Sequence, residues 1–181
     1  RLSAQINLDA GILDNNKWSN SFPNLAVSPD GSNIYMVSYF SNSIIHWDRD
    51  SATGALSNQV VIADSSNLKG AGDLKVSPDG NHVYATAITA DAIVWWNRDS
   101  STGALSNQAE LIDSTNLNGP YTLTISPDGK YVYVLNYALT PTRYQLTMLE
   151  RNSATGVLSN PGNACSTHAA YCTTSAWLDP G

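Results

Sequence analysis

Three histidines, two cysteines and a few turn carboxylates are the residues of this chain whose types could do chemistry. Acid–base or nucleophilic catalysis needs a histidine within reach of a serine or a carboxylate, so the histidines come first. His46 stands in the apolar run Ile44-Ile45-His46-Trp47 and aligns with Trp95 and Met148, which predicts packing between sheets. His82 opens a strand-like run beside a turn, with Asn33 and Tyr131 as its counterparts, which predicts a surface position. His168 falls between Cys165 and Cys172. None is spaced with Ser and Asp in the manner of a triad, so no residue is assigned as catalytic.

The cysteines lie in a polar segment rich in Ser, Thr and Ala. Two thiols so placed fit a local disulfide between Cys165 and Cys172 and an oxidising compartment, with two free thiols as the alternative. A metal bound there lacks a fourth ligand beside His168. The turns Asp48-Arg49-Asp50 and Asn97-Arg98-Asp99 have some of the oxygen ligands of a calcium loop but not the alternating set. In the corresponding turn Glu150-Arg151-Asn152 the acidic pattern fades. A turn aspartate bonding backbone, with the arginine bridging neighbouring strands, fits these segments better. No metal and no cofactor is expected.

Charge narrows the partners. The formal net charge is −6, and the nine Lys and Arg residues form no cluster, which excludes a phosphate-neutralising nucleic-acid surface. No run of 18 apolar residues exists that could serve as a membrane span.

The elements that position these residues come from a repeat. Ser-Pro-Asp-Gly stands at Ser28–Gly31, Ser77–Gly80 and Ser126–Gly129, each 49 positions after the last. Proline presets one turn dihedral, aspartate bonds its own backbone and glycine accepts a positive φ, and each copy is flanked by short apolar runs. A period near 50 residues with several strands per unit predicts an all-β fold, a β-propeller of four-stranded antiparallel blades. The expected blades are 24–63, 73–112 and 121–160. The third unit has four extra residues, expected in a loop over 138–143. Residues 1–9 resemble 55–63, a last strand of a preceding blade, and 161–181 hold the cysteine loop and a first strand of a following one. Three blades leave apolar faces bare, so the expected partners are other blades of the same propeller, from a longer parent chain or from copies in a homo-oligomer.

Several motifs resemble the lactonase-type propellers, the group related to phosphogluconolactonase and to the surface-protein propellers named for a Tyr-Val-Thr-Asn repeat. They are Ser-Pro-Asp-Gly followed by Tyr131-Val-Tyr-Val-Leu-Asn136, the segment Trp47 to Leu56, and Gly119-Pro120-Tyr121 leading into a first strand. The resemblance runs from Leu2 to about Asn160 and implies the propeller fold. The cysteine loop is similar to one in secreted members, implying an extracellular or periplasmic location. Enzymes of the group use histidine, arginine and glutamate at the mouth of the central channel, with a histidine just before the first strand. Here that position reads Asn24, Asp73 and Tyr121.

In a propeller, the loops entering each first strand and those joining second to third strands share one rim. That rim is expected to carry Trp18, Asn24, Tyr39, Asp73, Asp91, Tyr121 and Arg143, a mixture of aromatic, amide and charged groups suited to a polar ligand. The reading drawn from these residues is a non-catalytic, secreted binding or scaffold module offering its rim to a protein or glycan. The alternative is a lactone hydrolase with part of its active site outside this segment.

Overall fold

The computed structural model describes residues 24–139 and 142–163, with side chains over 24–137 and 144–159. The expected sites at Trp18, Cys165, Cys172 and His168 lie outside the described residues. Twelve strands form three four-stranded antiparallel sheets. The first blade is β1 (Leu25–Val27), β2 (Asn33–Ser38), β3 (Ser43–Arg49) and β4 (Leu56–Ala63). The second is β5 (Ala71–Val76), β6 (His82–Ala87), β7 (Ala92–Arg98) and β8 (Leu105–Ile112), with a 3₁₀ turn at Ile88–Ala90. The third is β9 (Pro120–Ile125), β10 (Tyr131–Leu139), β11 (Thr142–Arg151) and β12 (Leu158–Asn163). Within each blade the strands lie in chain order, the arrangement of propeller blades.

Each first hairpin is set by its Ser-Pro-Asp-Gly turn. In the first blade Gly31 N donates to Ser28 O at 2.8 Å, and the Asn33 amide donates to Ser28 Oγ at 3.0 Å. The register that follows is Leu25 opposite Met36 and Tyr35 opposite His46. Because side chains alternate along a strand, each sheet offers an apolar set to both neighbours. Tyr35, Val37 and Ile44 of the first blade pack with Leu74, Val94 and Trp96 of the second. Tyr84, Ile93 and Trp95, on the second blade's other face, pack with Leu123, Val132 and Leu149 of the third. The Trp47, Trp96 and Leu149 layer is therefore core, and the indoles of Trp47 and Trp96 donate to Gln59 and Gln108, each at 3.1 Å. β1 touches β5 and β5 touches β9, so the first strands lie innermost. The fourth strands β4 and β8 are mostly exposed at the periphery.

Two expectations change. The extra residues of the third unit lengthen a hairpin instead of making a loop, with Ala138 paired to Arg143 and Leu139 to Thr142. His82 is not at the surface: it is 3 % exposed, enclosed by the next blade's arginine. His46 is buried as expected, its ring tilted against Tyr35 at 5.7 Å.

Candidate functional site

The innermost strands β1, β5 and β9 begin at one end of the blades, the end that would face the mouth of a propeller's central channel. Leu74 and Leu123 point into the two interblade cores, and the residues just before these strand positions are Asn24, Asp73 and Thr122. The third member is thus Thr122, not Tyr121, because the 49-residue step from Asp73 reaches Thr122. Tyr121 is 46 % exposed. Asn24 Nδ2 donates to Gly72 O at 2.8 Å, tying the first blade to the second.

Asp73 does the same between the second and third blades, with a charged group. Its Oδ1 accepts from Leu74 N at 2.8 Å and from Lys75 Nζ at 2.7 Å. Its Oδ2 accepts from Thr122 Oγ1 at 2.6 Å and Leu123 N at 3.0 Å. Thr86 Oγ1 accepts from the Asp73 amide at 2.8 Å. A carboxylate offers about four acceptor directions, and these contacts use them. Asp73 is therefore a post, not a base. Lys75 is the group it presents: 38 % exposed, donating to Asp73 and to Leu74 O, with one of its three N–H donors left over. Among the described residues it is the one cation on an innermost strand.

The second-to-third-strand turns meet the entry loops on this same rim. Asn42 and Asp91 sit in left-handed conformations at φ 49° and 51°. Their Oδ1 atoms accept from Gly70 N and Gly119 N of the next blade, each at 2.9 Å. Tyr39 stacks edge-on with Phe40 at 5.2 Å and lies against Gly70. Tyr137 and Tyr144 face each other at 5.1 Å beside the extended hairpin that holds Arg143. The structure thus joins Asn24, Tyr39, Asp73 and Asp91 through interblade contacts. Lys75 and Thr122 are additions; strict spacing flags Thr122, and the one cation on an innermost strand among the described residues, two positions after Asp73, flags Lys75.

At the opposite end of the blades lies a second polar constellation. Arg98, fully buried, donates from Nε to Tyr35 Oη at 2.8 Å and from Nη1 to Gly80 O at 3.0 Å. Its Nη2 donates to Asp30 Oδ2 at 2.8 Å and Asn33 Oδ1 at 2.6 Å. Arg151 repeats this one blade on, with Tyr84 Oη at 2.8 Å, Gly129 O at 2.9 Å, Asp79 Oδ2 at 2.8 Å and His82 Nδ1 at 2.8 Å. Each tyrosine hydroxyl donates onward to a turn carbonyl of the following blade, Gly103 O and Gly156 O. The arginines bridge blades rather than only strands.

This environment sets the titrations. Burial opposes charge on Asp30, but hydrogen bonds from Ser28, Ser32 and Arg98 outweigh it and hold the carboxyl far below its ordinary range. Burial pushes the Tyr84 phenol up to about 12. Burial, then the Arg151 charge, lowers His82, consistent with an unprotonated Nδ1 accepting from the guanidinium. An unfolded histidine binds a proton near pH 6.5, and folded His82 does so only at lower pH. Its contribution to stability is therefore complete above that value and declines as pH falls through the folded one. Melting curves from pH 7.5 to 5 should show a falling transition in the parent and a flatter profile in His82→Asn, which copies Asn33. Parallel profiles would contradict the assignment.

Blades of this geometry define a β-propeller. The family model for the lactonase seven-bladed β-propeller matches residues 24–174, and the chain belongs to that family. A solved structure described as a candidate 6-phosphogluconolactonase of Bacteroides fragilis is 28 % identical with a TM-score of 0.64, over 75 % of this chain and 36 % of that one. A similar candidate from Bacteroides uniformis is 22 % identical, TM-score 0.62, over 76 % and 40 %. The periplasmic gluconolactonase of Pseudomonas aeruginosa is 20 % identical, TM-score 0.56, over 80 % and 41 %. The chain thus spans less than half the length of these structures. No curated protein matches it. Among the described residues no helix is long and apolar enough to cross a membrane.

Proposed function

We propose that these blades form part of a lactone-hydrolysing propeller acting on sugar lactones that carry an anionic group, with the innermost-strand mouth as one wall of the site. The observation that carries the reading is membership of the lactonase propeller family over residues 24–174. Lys75 deepens it, since an ammonium held by a buried carboxylate with a donor to spare suits a substrate phosphate or carboxylate. Lactone hydrolysis adds water across the acyl C–O bond, and a base must take the proton of the attacking water. Asp73, with its acceptor directions filled, does not serve as that base. Asp73 and Thr122 keep the Lys75 wall in register.

The non-catalytic reading, a rim offered to a protein or glycan, draws on the described histidines, His46 and His82, both lying away from the mouth. Family membership outweighs it. An extracellular or periplasmic location belongs to the proposal and rests on the Cys165 and Cys172 pair; intact mass with and without reductant tests the disulfide.

The activity is tested in the complete propeller that contains these blades, by following acid release from 6-phosphogluconolactone and unphosphorylated gluconolactone, corrected for spontaneous opening. Turnover of the phosphorylated substrate is expected, with Lys75→Met raising its KM roughly tenfold or more, the loss of one charge-assisted hydrogen bond. The unphosphorylated lactone should feel the change much less. Absence of turnover with either lactone removes the hydrolase reading in favour of the binding one.

A further inference from the structure

Away from the arginine clamps formed by Arg98 and Arg151, the seam between the second and third blades buries a further polar pair. Asn136 on β10 and Thr147 on β11 are each 1 % exposed. They share a face with Val134, which packs in the core between those blades. The 49-residue step and the strand register put Ala87 and Val94 at the same positions of the second blade, both apolar and fully buried. The pair acts on one atom. Asn136 Nδ2 donates to Asn116 O at 3.1 Å, and Thr147 Oγ1 donates to the same carbonyl. Asn136 Nδ2 also lies 2.9 Å from Thr147 Oγ1 and 3.2 Å from Gln145 O. Two carbonyls and a hydroxyl that gives its proton to Asn116 surround this nitrogen, which fixes the orientation of the amide. Among the described residues no donor reaches the buried Asn136 Oδ1. A buried acceptor in that state costs stability, and such a cost is expected where function needs the geometry.

Asn116 belongs to the loop entering β9. Asp113 shapes that loop by accepting from Thr115 N, Asn116 N and Asn116 Nδ2. Leu117 anchors it in the core, and Asp91 Oδ1 accepts from Gly119 N. Three residues further on stands Thr122, bonded to Asp73 Oδ2. The loop entering β5 is built the same way: Asp64 accepts from Ser66 N and Asn67 N, Leu68 is buried, and Asn42 accepts from Gly70 N. Ala87 and Val94, however, have no donor to offer Asn67 O. The loop entering β9 thus carries a side-chain latch that its counterpart lacks, and it is the loop that brings Thr122 across the seam to Asp73.

We propose that Asn136 and Thr147 are positioning residues for the mouth. They latch Asn116 O so that the entry loop delivers the Thr122 hydroxyl and the Leu123 amide to Asp73, which in turn holds Lys75 toward the anionic group of a substrate. This role rests on the reading of the mouth as a lactone site. Both side chains act through the main chain of the loop and touch no substrate.

The second blade supplies the variant. In the complete propeller that contains these blades, Asn136→Ala combined with Thr147→Val copies Ala87 and Val94. It removes both donors and the unpaired oxygen together, so the melting temperature should stay at or above that of the parent. KM for 6-phosphogluconolactone should nonetheless rise about fivefold, the worth of an ordinary hydrogen bond, with kcat near the parent's. The rise should vanish in a Lys75→Met background, because the latch acts through Lys75. Thr147→Ser keeps the hydroxyl and should keep the parent KM where Thr147→Val raises it. Hydrogen exchange at Leu123 N, which donates to Asp73 Oδ2 at 3.0 Å, reads the latch without any substrate and should quicken about fivefold in the double variant. A lowered melting temperature with KM and Leu123 exchange unchanged would make the pair a structural one only and overturn the proposal. So would a Thr147→Ser variant as impaired as Thr147→Val. If the parent opens neither lactone, the lactone reading falls by itself and Leu123 exchange alone decides: quickened exchange supports the latch, unchanged exchange overturns it.

Discussion

Arg98→Met is expected to lower the melting temperature of the chain by about 10 °C. The side chain is fully buried, and its three guanidinium nitrogens make five hydrogen bonds, four to the first blade and one to Gly80 O. Methionine fills much of the volume but leaves the Tyr35 hydroxyl without its donor and the buried Asn33 amide oxygen without its strongest one. The Asp30 ion pair adds little by itself, because that carboxylate is 41 % exposed and water screens it. The loss lies in the buried groups left behind, and removing one partner of such a network costs about 3–5 kcal/mol. For a chain of this size roughly 2–4 °C accompanies each kcal/mol. Arg98→Lys should recover only part of the loss, since a point ammonium cannot reach a phenol, a carbonyl and a carboxylate together. Arg49→Met is the internal control in the 181-residue chain, forfeiting one bond to Gly31 O. An Arg98→Met transition within 2 °C of the parent, roughly 1 kcal/mol or less, would show that apolar packing alone holds the seam.

The clamp also marks what could be read from residue order. The Ser-Pro-Asp-Gly turns announce the blades because their information is local: four residues specify a turn, and the alternating runs beside them specify the strands. The Asp50 and Asp99 turns are legible for the same reason, with Asp50 Oδ1 accepting from Ala52 N and Thr53 N. His82 is misread because its burial depends on Arg151, 69 positions away, and its polar counterparts Asn33 and Tyr131 give no sign of that partner. The mouth is half legible. Asn24 and Asp73 follow from spacing, while Pro120 points to the residue after it, Tyr121, although the 49-residue step lands on Thr122. That Asp73 is a buried post with Lys75 as its exposed partner depends on blades meeting across a seam. Alternation along one strand does not report such a contact.

Gly119→Ala is expected to unsettle both the fold and the mouth. The residue has φ +64°, and a Cβ there would stand 2.4 Å from the Tyr137 carbonyl oxygen and 3.1 Å from its carbon. A left-handed alanine costs about 1–2 kcal/mol by its own backbone. The clash adds more, because the obstacle is main chain in the middle of a paired strand and not the tip of a side chain. Relief requires moving the entry loop off β10. That movement breaks the Tyr137 N to Gly119 O bond at 2.8 Å and the Gly119 N to Asp91 Oδ1 bond at 2.9 Å. The combined loss should reach about 3–5 kcal/mol, the range of the severe single substitutions. Gly54→Ala is the fitting comparison, with φ +75° and nothing within 4 Å, and should lose only the left-handed increment. The displaced loop runs directly into Thr122, whose hydroxyl bonds Asp73 Oδ2, and Asp73 in turn holds Lys75. At a temperature where Gly119→Ala is still folded, its KM for a phosphorylated lactone should therefore rise while Gly54→Ala stays near the parent. Equal melting temperatures for the two variants would mean that the loop yields without strain, and the rigid link from the rim turn to Lys75 would be lost with it.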